Sequence, residues 1–282
     1  MSVSTLGIIG AGVMGSGIAQ VAVTSGINVL LLDVNEKAVK KGIDDIECRL
    51  SRVVTKGKMT AAEKDAAVRR IKGTTAYESL KPADVIIEAA TENYDLKAKI
   101  FKQVESQVSP ECIVASNTSS VSITRLASST SHPQRFVGLH FFNPVPVMPL
   151  IEIVRGLETS DATREAAAAL AAQLGKSPIK VKSAPGFVVN RILLPMINEA
   201  FFVLAEGYAS AEDIDKGMKL GCNHPIGPLA LADLIGLDVL LSVMQILHDE
   251  FADSKYRPCP LLKELVAAGR LGRKSGRGVF SY

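Results

Sequence analysis

Residues Leu6–Gln20 read LGIIGAGVMGSGIAQ. A β-type apolar run stops at Gly10, glycines recur at Gly12 and Gly15, and a helix-forming segment begins at once. Each glycine answers a different physical need. Gly10 permits the tight turn out of the strand, and Gly12 lets backbone amides approach a pyrophosphate. Gly15 allows the helix to pack closely on the strand, while the helix N-terminus supplies partial positive charge. A GxGxxG motif alone is a weak signal. Here a second apolar run, INVLLLD, ends in Asp33, about twenty residues on, where a carboxylate binds an adenosine ribose diol. The loop Gly10, Ala11, Gly12, Val13, Met14 and Gly15, together with Asp33, therefore predicts a dinucleotide site. A carboxylate at Asp33 repels a 2′-phosphate, which selects NAD over NADP.

Working outward, the first part of the chain alternates. NEKAVKKGIDDIECRLSRVVTKG reads as a long helix, and ADVIIEAA, CIVASN, RFVGLHFF and PLIEIV as buried strands. Such alternation predicts a parallel sheet with helices on both faces. After the strand SPIKVKS and the break APG the strand signal disappears, and helical patterns continue to about Gly269. The expected architecture is an α/β Rossmann-type N-terminal domain over residues 1–184 and an all-α C-terminal domain over 185–282. A basic, glycine-rich tail closes the chain.

Bulk properties narrow the function. With 282 residues, 47% apolar and 22% charged, the chain can bury a large core, and a net charge of +3 argues against nucleic acid or anionic membrane as partner. The four cysteines are widely spaced with no CxxC pair, the pattern of free thiols in a cytoplasmic protein. The N-terminus enters a strand directly, and no leader is expected. Gly186–Gly207 is long enough to span a bilayer, but Arg191 and Glu199 make a buried helix, covered by a second domain or subunit, the better reading. His132, His224 and His248 lack partners at metal-ligand spacing, so no metal is expected.

The chemistry is concentrated in Gly138–Glu152, GLHFFNPVPVMPLIE. His140 ends one strand and Glu152 lies in the next. Pro144, Pro146 and Pro149 between them predict a rigid, extended path. Periodicity alone favours Glu152 on an exposed face and His140 as a satisfied core residue. Beside a dinucleotide site the balance shifts. Hydride removal from an alcohol needs a base for the hydroxyl proton, and a buried acid on the other ring nitrogen fixes the tautomer. Glu88, Glu92 and Lys97 follow the fourth apolar run, where acids face the ligand crevice of an open sheet. The alternative is acids enriching a helix's first turn.

These segments, with ASNTSS at 115–120, APGFVVNR at 184–191 and GCNHPIGPLALADLIGLD at 221–238, resemble the L-3-hydroxyacyl-CoA dehydrogenase family, and the resemblance covers essentially the whole chain. Within it the chain looks nearest to stand-alone short-chain members, without the hydratase half of bifunctional relatives. The resemblance implies NAD as cofactor, and 3-hydroxybutyryl-CoA and acetoacetyl-CoA as substrates. The apolar helix from Gly186 and the apolar run ALADLIGLDVLLSVMQIL, more than a small helical domain can bury alone, predict a homodimer or higher oligomer formed through the helical domain. The resemblance makes His140 the general acid/base and Glu152 its orienting acid, and brings Ser119 and Asn190 to the substrate. Asn117 and Asn143 fall at the nicotinamide end, Glu92, Lys97 and Lys274 match cofactor contacts, and Lys56 lies in a helical hairpin that takes the CoA head group. Pro149 stands where some members carry lysine, which bears on the acyl pocket. Without the resemblance, Ser119 reads as a helix cap, Asn190 as a backbone partner and Lys56 as a solvated charge. Two other readings stay open: a sister enzyme for 3-hydroxyadipyl-CoA or L-gulonate, and a non-catalytic, crystallin-like NAD-binding protein.

Overall fold

Thr5–Ile9 forms β1 and Val13–Thr24 forms α1, in a computed structural model that describes residues 2–282. The chain continues through β2 (Asn28–Leu32), α2 (Glu36–Thr55), α3 (Ala61–Val68), β3 (Ile71–Thr74) and β4 (Val85–Glu88). Then come α4 (Tyr94–Glu105), β5 (Ile113–Ser116), α5 (Ile123–Ala127), β6 (Phe136–Phe141), β7 (Leu150–Arg155), α6 (Asp161–Gln173) and β8 (Ser177–Lys182). The eight strands form one sheet in the order β3-β2-β1-β4-β5-β6-β7-β8. β4, β5 and β6 are buried along their whole length, which is why they read as unbroken apolar runs rather than alternations.

Three features depart from the sequence reading. The sheet is parallel through β6, but β7 runs antiparallel to β6, and β8 then runs parallel to β7. The prolines do not draw the intervening chain out. Residues 142–149 fold into a compact turn in which Val147 N and Met148 N both donate to Pro144 O, and the Asn143–Pro144 peptide is cis. Strand β3 was not expected at all. Its sequence, IKGT, has one large apolar residue, and it is held as a parallel partner on the edge of β2.

The chain divides into two compact units, one ending at Ala184 and the other running Pro185–Tyr282. The second unit is helical: α7 (Val189–Ala205), α8 (Ala211–Gly221), α9 (Pro228–Ile235), α10 (Leu237–Phe251) and α11 (Pro260–Ala267). Ile197, Phe201, Leu229, Leu240 and Met244 are among the residues of its core. Asn198 is satisfied inside α7's buried face, donating to Arg257 O and accepting from Cys259 N. The glycine-rich tail is not loose. Buried Asp233 accepts from Val279 N, Phe280 N and the Tyr282 hydroxyl. No single helix among the described residues is long and apolar enough to cross a membrane.

Candidate active site

The glycine loop shows why two positions, Gly10 and Gly15, need glycine. Gly10 has φ +100°, and a Cβ there would stand 2.7 Å from Ala90 Cα. A Cβ on Gly15 would lie 1.7 Å from Gly10 O, so any side chain would force helix and loop apart. Gly12, the N-cap of α1, has open space around its missing side chain. Backbone N–H groups at the start of α1 therefore face an approachable surface, with the helix dipole behind them. Asp33 completes the cradle. Its carboxylate accepts from Ala11 N and Val34 N, both at 2.7 Å, tying the end of β2 to the loop. Val13 is largely exposed at the mouth, and Met14 packs partly against the core.

On the other side of β1, the end of β4 carries a buried ionic cluster. Glu88 accepts from Ala90 N at 2.9 Å, Thr91 N at 3.3 Å, Ser116 Oγ at 2.8 Å and Lys97 Nζ at 2.5 Å. A buried ion pair survives only when its remaining hydrogen-bonding groups are satisfied, and four donors on one carboxylate do this. Glu88 thus points inward, not into the ligand crevice. Lys97, expected at the cofactor, is 1% exposed, with its ammonium on Glu88 and 3.7 Å from Glu92. Glu92 is exposed and faces the neighbouring loop. It accepts from Thr118 Oγ1 at 2.6 Å, Ser119 N at 2.8 Å and Ser119 Oγ at 3.0 Å. Asn117 pins β5 to β6 by accepting from Phe141 N at 2.9 Å. Sequence reasoning passed over Ser116, whose only signal was its place at the end of the run CIVAS.

His140 and Glu152 meet. The antiparallel pairing of β6 with β7 sets them directly opposite each other, and His140 Nδ1 lies 2.7 Å from Glu152 Oε2. His140 is 6% exposed and Glu152 fully buried, so the carboxylate is inside the sheet layer and not on a wet face. The Phe142 ring stands 4.5 Å from the imidazole. A carboxylate at Nδ1 holds the proton on that nitrogen, which puts the basic lone pair on Nε2 and stabilises the imidazolium when Nε2 takes a proton.

The remaining expected residues are Asn143 and Lys56 in the first unit and Asn190 and Lys274 in the second. Asn143 is exposed in the turn after β6, and Lys56 caps the exposed C-terminus of α2 in the α2–α3 hairpin. Asn190 occupies the first turn of α7, half-buried. Lys274 forms an ion pair with Asp238 at 2.6 Å.

Residues 5–184 match the family model for 3-hydroxyacyl-CoA dehydrogenase, NAD binding domain, and residues 186–282 match that for 3-hydroxyacyl-CoA dehydrogenase, C-terminal domain. The chain belongs to the 3-hydroxyacyl-CoA dehydrogenase family. Its first unit is an NAD-binding domain, and NAD is the cofactor. The chain is similar to the crystal structure of (S)-3-hydroxybutyryl-CoA dehydrogenase from Ralstonia eutropha, with 62% identity and a TM-score of 0.97. That match covers 100% of this chain and 99% of the other. It is 51% identical over 280 residues to 3-hydroxybutyryl-CoA dehydrogenase of Bradyrhizobium diazoefficiens, covering 99% of this chain and 96% of that protein. A 3-hydroxyadipyl-CoA dehydrogenase of Escherichia coli K12 is 41% identical over 283 residues, covering 100% of this chain and 60% of that protein.

Proposed function

We propose that this 3-hydroxyacyl-CoA dehydrogenase interconverts (S)-3-hydroxybutyryl-CoA and acetoacetyl-CoA, with His140 as acid and base. The observation that carries the reading is the buried His140–Glu152 pair at 2.7 Å, in the same sheet as the glycine loop. The high identity to two relatives named for that activity supports the substrate.

In oxidation His140 Nε2 accepts the proton of the C3 hydroxyl as hydride leaves C3, and the Nδ1 proton stays on the ring, donated to the Glu152 carboxylate. In reduction the imidazolium returns that proton to the C3 oxygen. Bound NAD supplies the hydride acceptor, or in its reduced form the donor. Gly12 and the α1 N-terminus would hold its pyrophosphate and Asp33 its adenosine ribose, while Glu92, Asn117, Asn143 and Lys274 are assigned to the cofactor side. Lys97, buried with its ammonium on Glu88, would act there only through Glu92. Ser119 and Asn190 are assigned to the substrate. Ser119 then exchanges its bond to Glu92 for one to the substrate. Lys56 is assigned to the CoA head group. The test is loss of NADH absorbance on adding acetoacetyl-CoA, repeated with NADPH. Reduction of 3-oxoadipyl-CoA but not acetoacetyl-CoA would move the assignment to the sister activity. Equal rates with NADPH would remove the selective role of Asp33.

The same reading makes the helical unit the substrate and dimerisation domain, and places the enzyme in the cytoplasm, in butanoate and fatty acid metabolism. Ile192 at 67% exposure and Leu220 at 76%, with Tyr208 and Leu234, give that unit apolar surface for a second copy. Sedimentation at micromolar concentration is expected to show a homodimer or higher oligomer, and a strict monomer would rule this out.

A further inference from the structure

Lys176 lies between α6 and β8, after Gly175, whose φ of +66° lets the chain turn back along the sheet. Its side chain crosses to the turn between β6 and β7, where Nζ donates to Val145 O at 2.6 Å and Met148 O at 2.9 Å. The next residue adds a backbone bond, Ser177 N to Pro149 O at 2.8 Å. The far side of the turn is seated on α1. Val145 is 2% exposed, and a Cβ on Gly17 would come within 3.0 Å of it. Burial pushes the Lys176 ammonium below the usual lysine range, so the charge is held partly out of water. What it gains there is two charge-assisted bonds to carbonyl oxygens.

We propose that Lys176 is a positioning residue for the reaction, clamping the turn that carries Asn143, Val147 and Met148 beside the His140–Glu152 pair. This rests on the reaction proposed above. The pair itself does not depend on the clamp, because strand register sets His140 opposite Glu152. What depends on it is where the exposed residues of the turn stand. Because Pro149, the turn residue that bears on the acyl pocket, is held in the same clamp by Ser177 N, loosening the turn weakens binding of the acyl substrate more than it slows proton transfer.

Lys176→Met keeps the apolar stem and removes the donors, while Lys176→Arg keeps donors that reach the same carbonyls. In the full-length enzyme, Lys176→Met is expected to raise KM for acetoacetyl-CoA about tenfold while kcat stays within about threefold. The pH profile is expected to stay in place, and Lys176→Arg to recover most of the loss. Hydrogen exchange at Val147 and Met148, whose amides close the turn on Pro144 O, should quicken at least about tenfold in Lys176→Met, with β6 and β7 unchanged. Unchanged exchange in the turn would overturn the proposal, as would a fall in kcat at constant KM. So would faster exchange across the whole sheet in both variants, which marks a general structural role. If the unaltered enzyme fails to reduce acetoacetyl-CoA, the reaction assignment falls, and the exchange measurement still decides the clamp.

Discussion

Exchanging Glu152 for glutamine keeps the shape against His140 and changes which way the proton faces. An amide N–H can donate to Nδ1, which favours the tautomer with hydrogen on Nε2 and takes the basic lone pair away from the substrate side. Glu152→Gln is therefore expected to lower kcat by roughly 10³- to 10⁴-fold while NADH binding, followed by fluorescence, stays near its original value. Turnover close to that of the unaltered enzyme would remove Glu152 from the mechanism. At this scale the sequence was informative about identity and much less so about burial. His140 and Glu152 stood out as polar ends of an apolar stretch. That the carboxylate is inside could not be read, because an acid between apolar neighbours looks like the wet face of a strand, whereas β7 is buried on both faces. The inward turn of Glu88 and Lys97 was hidden for a related reason. A charged residue is assigned to the surface until its partner is known, and the donors from Ser116, Ala90 and Thr91 come together only in the fold.

The α2–α3 hairpin that carries Lys56 is held at its second helix by a capping box. Glu63 N donates to Thr60 Oγ1 at 3.2 Å, and Thr60 N donates to the Glu63 carboxylate at 2.7 Å. The Thr60 backbone N–H and then its hydroxyl hold the Glu63 carboxyl below the usual range. A lowered folded-state pKa means a contribution that is present above the ordinary value of 4.5 and lost as pH falls through the folded one. Thr60→Ala is expected to speed amide exchange in α3 about five- to tenfold at neutral pH, and the gap between variant and parent should narrow on acidification. A gap that persists below the carboxylate range would show that the cap does not work through Glu63. Element by element, long runs were legible and short or reversed ones were not. β1, β2, β4, β5 and β6 announce themselves by apolar runs. β3 has too little apolar content to register, and the strand pattern of β7 does not show its direction, which is set by the short connection from β6, too short for a parallel crossover.

Across the whole molecule, the four cysteines divide by depth. Cys48 and Cys222 are exposed, whereas Cys112 and Cys259 are buried, and burial pushes the Cys112 thiol up to about 12. A disulfide reagent at about pH 8 is expected to titrate the two exposed thiols quickly in the folded protein and all four after denaturation. Fast modification of Cys112 in the native state would contradict the packing around β5. The break in pattern at Pro185 and Gly186 is visible in the sequence as the end of β-branched runs, and each unit has its own core on either side of it. What composition could not show was the way Asp233 fastens the tail, because three donors from residues 279–282 reach one carboxylate nearly fifty positions earlier. The β6–β7 hairpin has a consequence of another kind. His140 and Glu152 are only twelve positions apart and meet through one tight reversal, while the glycine loop and Asp33 lie more than a hundred positions upstream. On the proposed reading, proton handling and cofactor binding are thus written in separate passages of the chain. A graft or recombination that moves the hairpin carries the proposed acid and its orienting carboxylate together, so on this proposal either half of the chemistry can be inherited, or lost, without the other.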